Sequence, residues 1–118
     1  MASEATIQAT PRTLHVGPFT YAISYDGEAS YDYDYMGTTL FRSRRIRLDP
    51  RQSDTEAPQT FLHEAIHAIG NAWEIHAWER HTLDERQHVT DSIDLMASAM
   101  LMFLRANPEA VAWLVAQR

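Results

Sequence analysis

Three residues within one apolar stretch have the types and the spacing to bind a metal ion and to move a proton. The stretch spans residues 59–70, QTFLHEAIHAIG, and contains His63, Glu64 and His67 in the order His-Glu-x-x-His. Residues four positions apart lie on one face of a helix, so both imidazoles can reach the same ion. Glu64 is one position along and can accept a proton from a water molecule beside that ion. The sequence therefore predicts a metal site on a helix, with zinc as the expected ion.

Apolar residues surround this polar trio, which predicts that the helix is largely buried. They are Phe61, Leu62, Ala65, Ile66, Ala68 and Ile69. Burying polar groups costs free energy unless partners satisfy them, and a bound cation is such a partner. The alternative is that the two histidines are solvated or capping residues on an amphipathic helix.

A catalytic zinc ion usually has three protein ligands and a water molecule, so a third ligand is expected. In the longer pattern HExxHxxGxxH the third histidine would stand at position 73, which is Trp73 here. A carboxylate from a later helix is the remaining design, with Asp91 and Asp94 as candidates. Helical phase favours Asp94, because it flanks Ala97 and Leu101 at the border of the predicted buried stripe. Asp91 points away from that stripe. Further candidates, as ligands or as oxyanion stabilisers, are His76, His81 and His88.

Composition limits the class of protein. The 118 residues are enough for one domain with a modest core, and the apolar content of 45% is ordinary. Without cysteine there is no disulfide framework and no thiolate ligand. The formal charge of −6 argues against a general nucleic-acid binder. Since no apolar run could span a bilayer or serve as a signal core, we expect no membrane association and a cytoplasmic location.

The N-terminal half predicts a small antiparallel sheet. Residues 1–12 are expected to be a flexible lead-in, and residues 13–118 a single domain. Alternating β-branched and aromatic residues predict strands at Thr13–Val16 and Phe19–Tyr25. A further strand is predicted within residues 41–49, where Ile46 and Leu48 alternate with arginines. The arginines are then a solvated strand face, with binding of a polyanion as the alternative; they are Arg42, Arg44, Arg45 and Arg47.

The C-terminal half predicts helices. Ser53 and Glu56 fit a capping box before the His-Glu-x-x-His helix, and residues 70–71, Gly-Asn, are a stop signal. A second long helix is predicted from about residue 85 or 90 to residue 105, with the apolar stripe Ile93, Met96, Ala97, Met100, Phe103 and Leu104. Asn107 and Pro108 begin a short final helix. The predicted fold class is therefore α+β, with the sheet packed against these helices.

The order of these segments resembles a known group of proteins. The stretches T-F-L-H-E-A-I-H-A-I and I-D-L-M-A, followed by F-L-R-A-N-P-E, are similar to small metallopeptidase-like proteins of phages and prophages. Those proteins are related to the ImmA/IrrE, gluzincin-like branch of HExxH peptidases. The resemblance implies a minimal zincin-like domain, with His63 and His67 as zinc ligands and Glu64 as the catalytic base. The third ligand of that branch is usually a glutamate on the following helix, where this chain offers aspartate.

Two functions follow as expectations. The first is a zinc metallopeptidase that hydrolyses a protein or peptide substrate, which the strand at residues 44–48 could hold in extended form. The second is a catalytically silent, metal-stabilised, phage-type module that docks on a protein partner, with contact residues Tyr31, Tyr33 and Tyr35. Glu64 favours the enzyme, because a purely structural metal site needs only its ligands.

Overall fold

The computed structural model describes residues 1–28, 36–74 and 86–116, and the side chains of residues 86–92 lie outside that description. Its elements, in chain order, are α1 (Glu4–Ala9), β1 (Thr13–Val16), β2 (Phe19–Tyr25), β3 (Gly37–Leu40), β4 (Arg45–Leu48), α2 (Glu56–Ala72), α3 (Arg86–Ala106) and α4 (Pro108–Val115). A small sheet packs against helices, so the predicted α+β class is confirmed. None of the described helices is long and apolar enough to cross a membrane.

The sheet is mixed, whereas the sequence predicted an antiparallel one. Among the described residues the strand order is β1-β2-β4-β3. Antiparallel pairing joins β1 to β2 and β3 to β4, but β2 and β4 run parallel. Because β4 lies inside the sheet, its backbone groups pair on both sides. This corrects the prediction that residues 44–48 hold a substrate, since β3 and not β4 is an outer strand.

The core lies between one face of the sheet and the helices. Leu14, Tyr21 and Ile46 are fully buried on the sheet side, and Phe61 and Ile69 are fully buried on α2. The predicted alternation in β4 is confirmed, because Ile46 and Leu48 are buried while Arg45 is exposed. The buried residues of the strands alternate along the chain, and those of α2 form one apolar stripe. The two sets pack together in a single cluster.

The arginine cluster is not one strand face. Arg44 precedes β4 in a turn with a φ of 56°, and its guanidinium carbon lies 3.6 Å from the centre of the Phe19 ring. Arg47 is half-buried and lies 4.0 Å from a carboxylate oxygen of Asp26. Arg42 and Arg45 are exposed. The cluster is therefore divided between a turn and a strand, with a cation–π contact for Arg44.

Residues 1–12 include a short helix, α1, that the sequence analysis did not predict. The Ser3 hydroxyl accepts a hydrogen bond from the backbone N–H of Thr6 at 3.2 Å and so caps α1. The backbone N–H of Ala2 donates to the Pro50 carbonyl at 2.8 Å, and that of Ser3 donates to Asp54 at 2.7 Å. A helix of six residues is too short to show a periodic apolar pattern, so periodicity does not predict it.

Helix α2 begins with the predicted capping box. The Ser53 hydroxyl accepts from the backbone N–H of Glu56 at 3.1 Å, and the Glu56 carboxylate accepts from the backbone N–H of Ser53 at 3.0 Å. The helix passes the predicted stop at residues 70–71 and ends at Ala72. It ends there because Glu74 takes a φ of 55°, which is left-handed backbone.

Asn107 joins the end of α3 to the outer strand β1. Its side-chain oxygen accepts from the backbone N–H of His15 at 2.7 Å, and its side-chain nitrogen donates to the His15 carbonyl at 2.7 Å. The same nitrogen donates to the Phe103 carbonyl at 2.9 Å. Asn107 stands at the predicted N-cap position of α4 but makes no side-chain capping bond there. Its amide instead takes the place of a neighbouring strand beside β1.

Candidate metal centre

The two imidazoles of α2 converge as the motif predicts. The Nε2 atoms of His63 and His67 are 3.2 Å apart, and the rings meet edge to face at 72°. Two nitrogens that each lie about 2.0–2.1 Å from one tetrahedral zinc ion are about 3.3 Å apart. The observed separation therefore fits two ligands of a single zinc ion. The His63 side chain is 48% exposed, so the pair faces solvent.

Glu64 lies beside this pair but is buried. Its residue exposure is 4%, and its Oε2 atom is 3.8 Å from His63 Nε2. A buried carboxylate costs free energy unless hydrogen bonds or a cation compensate it. The Thr39 hydroxyl donates to Oε1 at 2.8 Å, and a cation at the imidazole pair would compensate the charge further. The trio thus has an arrangement that fits two metal ligands with a carboxylate beside them.

Strand β3 supplies the wall behind Glu64. A Cβ atom added to Gly37 would lie 2.8 Å from Thr60 Cγ2 and 3.1 Å from Glu64 Cγ. Only a residue without a side chain lets the strand approach α2 this closely. Thr39 follows on the same face of the strand, because side chains two residues apart point the same way. Gly37 and Thr39 together confine the side chain of Glu64.

Asp94 is not brought to the imidazole pair. It is exposed on α3, and no set of three or more His, Asp or Glu side chains in the described ranges is placed to hold a metal ion. Asp94 does flank Ala97 and Leu101, as predicted, but both of those residues are exposed. The inward stripe of α3 consists instead of Leu95, Met96, Ala99, Met100 and Phe103. At 100° per residue, Asp94 lies about 170° from the centre of that stripe.

The remaining candidates for a third ligand are not placed by the structure. His76 and His81 lie outside the described residues, as do the side chains of His88 and Asp91. Tyr31, Tyr33 and Tyr35, the proposed docking residues, also lie outside them. The described part of the site therefore comprises the pair of imidazoles, the carboxylate and the strand behind it.

Sequence reasoning missed Gly37 and Thr39. Neither residue belongs to a motif in the sequence. Nothing in the sequence shows which strand crosses α2, because that depends on the parallel pairing of β2 with β4. The one local sequence feature that accompanies the contact of β3 with Glu64 is a glycine two positions before a threonine.

Comparison of the chain with protein-family models, with curated proteins and with solved structures finds no match. The case for a function therefore depends on the geometry of α2 and β3.

Proposed function

We propose that this protein is a zinc-dependent peptidase of the HExxH type, similar to the ImmA/IrrE branch, that hydrolyses peptide bonds of a protein substrate in the cytoplasm. The observation that carries the proposal is the trio on α2, with imidazole nitrogens 3.2 Å apart and a carboxylate oxygen 3.8 Å from one of them. The spacing suits zinc, and a base at this position has no purpose in a purely structural site.

His63 and His67 would hold the ion through Nε2, which requires each ring to carry its proton on Nδ1. When bound, zinc supplies a Lewis acid that polarises a carbonyl group and lowers the pKa of water. Glu64 accepts the proton of the attacking water and returns it to the leaving amine. Its burial behind β3 keeps the carboxylate fixed beside the reaction.

The outer edge of β3 is the place where we propose that an extended substrate lies. Within the described sheet β3 pairs with β4 on one side, and its other side faces away from the sheet. Backbone groups on such an edge can pair with an added peptide strand. Thr39 of this strand contacts Glu64, so a peptide there would run beside the base. This replaces residues 44–48, which lie inside the sheet.

Metal analysis tests the ligands. Purified wild-type protein is expected to carry about one zinc ion per chain, and His63→Ala and His67→Ala are expected to lose it. His15→Ala is a matched control, because His15 lies on β1 and its ring contacts Thr20 rather than the pair. Wild-type protein that binds no zinc even after incubation with the ion would refute the site.

A comparison of cleaved protein termini tests the reaction. Cells that express the wild type are compared with cells that express Glu64→Gln, which keeps the shape of the side chain and removes the base. We expect termini that appear only with the wild type, and zinc content that is equal in both proteins. Glu109→Gln, an exposed substitution on α4, should behave as the wild type. Identical termini at equal expression would count against catalysis and favour the docking role.

A further inference from the structure

The Thr39 hydroxyl makes two contacts with Glu64 from strand β3. It lies 2.8 Å from the carboxylate oxygen Oε1 and 3.1 Å from the backbone carbonyl oxygen of the same residue. A hydroxyl has one proton to donate, and the shorter distance is to the carboxylate. A hydrogen bond to an ionised acceptor is also the stronger kind. The carboxylate is therefore the main acceptor.

The two oxygens of the Glu64 carboxylate have different surroundings. Oε1 accepts from Thr39, whereas Oε2 is directed to the imidazole pair, 3.8 Å from His63 Nε2. We propose that Thr39 is a positioning residue, which anchors Oε1 so that Oε2 is the oxygen that accepts the proton of the attacking water. This inference rests on the proposed peptidase function and adds the residue that orients its base.

The strand is well fixed for this task. Thr39 pairs with Ile46 of β4, and Ile46 is fully buried. Gly37, two residues earlier on the same face, packs against the Cγ atom of Glu64. The carboxylate is thus confined through its methylene group by one residue and through Oε1 by another. The last side-chain torsion of a glutamate normally takes a broad range of angles. The hydrogen bond from the Thr39 hydroxyl restricts this torsion in Glu64.

The test compares Thr39→Val, which keeps the branched shape but removes the hydroxyl, with Thr39→Ser, which keeps the hydroxyl. Thr38→Val is the matched control, because Thr38 lies on the same strand and points to the opposite face. The first measurement is a crystal structure of each zinc-loaded protein. We expect Glu64 to keep one conformer in wild type, Thr39→Ser and Thr38→Val, and to turn its carboxylate in Thr39→Val. An unchanged carboxylate in Thr39→Val would overturn the proposal.

The second measurement is kinetic and uses one quenched-fluorescence peptide, chosen from a mixed-sequence library by its cleavage with the wild type. Thr39→Val is expected to lower kcat about 10- to 100-fold with KM changed less than about twofold. Thr39→Ser should restore most of kcat, and zinc content should be equal in all variants. A change in KM alone, or a loss that Thr39→Ser shares, would refute the positioning role.

The two proposals fail in different ways. A wild type that binds zinc but cleaves no library peptide and gives no new termini refutes the peptidase function and, with it, the role of Oε2 in catalysis. An active wild type whose Thr39→Val variant keeps both kcat and the carboxylate conformer refutes only the role of Thr39.

Discussion

At Gly37 the sheet and helix α2 are in close contact. An added Cβ would lie 2.8 Å from Thr60 Cγ2, and 3.1 Å from both the Arg47 carbonyl oxygen and Glu64 Cγ. Neither the helix nor the neighbouring strand can move away without disturbing the core. We predict that Gly37→Ala destabilises the fold by about 1–3 kcal/mol, measured by urea unfolding, and also lowers activity.

Gly27→Ala is the matched control for that substitution. A Cβ there would be in ordinary contact, with Pro50 Cγ at 3.5 Å. It should leave both stability and activity close to wild type. Equal effects of the two substitutions would show that loss of glycine flexibility, and not the approach of β3 to α2, is responsible.

The sequence favours Asp94 as the third metal ligand, whereas its position in the structure predicts that it is not a ligand. Because it is exposed and lies about 170° from the inward stripe of α3, Asp94→Ala should change zinc affinity less than about twofold. Competition with a chelator measures this affinity. The same titration of Asp91→Ala, His76→Ala, His81→Ala and His88→Ala would identify the third ligand. A tenfold loss in Asp94→Ala would mean that α3 turns its other face to α2 when zinc binds.

At the scale of elements, the start of α2 depends on Ser53 more than on the residue that directly precedes the helix. Thr55 makes no side-chain capping bond, whereas Ser53 and Glu56 bond reciprocally. Ser53→Ala is therefore expected to destabilise the protein by about 0.5–2 kcal/mol. Thr55→Ala should cost clearly less. Thermal unfolding of the two variants side by side measures the difference, and a larger loss from Thr55→Ala would contradict the assignment of the cap.

Helix α3 lies close to its predicted bounds. The inward face was predictable for elements with one apolar face, but not for an element with two. Strands β1 and β2 have the predicted bounds, because alternation leaves one choice of inward face. Helix α3 has a second apolar stripe, Ile93, Ala97, Leu101 and Leu104, which is exposed. Both stripes have helical period, so the sequence cannot show which one packs inward. Met96, Met100 and Phe103 of the predicted stripe do pack inward, whereas Ile93, Ala97 and Leu104 do not. The preference for Asp94 was based on that second group, through Ala97.

Some residues of the candidate site were predictable from the sequence and one was not. His63, Glu64 and His67 were found because they are close in sequence and a helix fixes their relation. Thr39 lies 25 residues away, and its contact with Glu64 depends on strand order. The geometry of one helix determines the arrangement of the trio, whereas the contact of Thr39 with Glu64 exists only once the sheet has assembled.

At the scale of the molecule, three carboxylates from the end of β4 to the first residue of α2 act as acceptors for nearby groups. The Arg51 guanidinium and backbone N–H hold the pKa of Asp49 below its usual value. The backbone N–H of Ser3 lowers the pKa of Asp54, and the backbone N–H and hydroxyl of Ser53 lower that of Glu56. Each bond favours the ionised form, so its stabilisation is complete above the ordinary carboxyl pKa and is lost as the pH falls through the lowered one. Lowering the pH through these pKa values should therefore weaken the hydrogen bonds at the start of α1 and of α2.

The Asp49–Arg51 pair gives a test of that behaviour. Arg51→Met removes the guanidinium but keeps the backbone N–H, so the pKa of Asp49 should rise toward its usual value. Because the Arg51 side chain is 59% exposed, solvent screens the pair, and we expect a loss of no more than about 1 kcal/mol near neutral pH. The loss should vanish below the lowered pKa, where Asp49 is protonated in both proteins.

Urea unfolding between about pH 7 and about pH 2.5 measures this trend. Arg42→Met is the control, because it removes the same charge from an exposed position in the turn before β4. A difference between Arg51→Met and wild type that does not depend on pH, or an equal effect in Arg42→Met, would contradict the role of the pair.

The bridge from Asn107 to His15 has a consequence for motion. Because one amide side chain bonds both backbone groups of His15, β1 cannot separate from the α3–α4 corner without breaking two hydrogen bonds together. A third bond, to the Phe103 carbonyl, holds the amide in place at the corner. The amide hydrogen of His15 should therefore exchange with deuterium only when that corner opens, although it lies on an outer strand. Its exchange rate therefore measures how often the helices separate from the sheet at β1, the edge opposite β3.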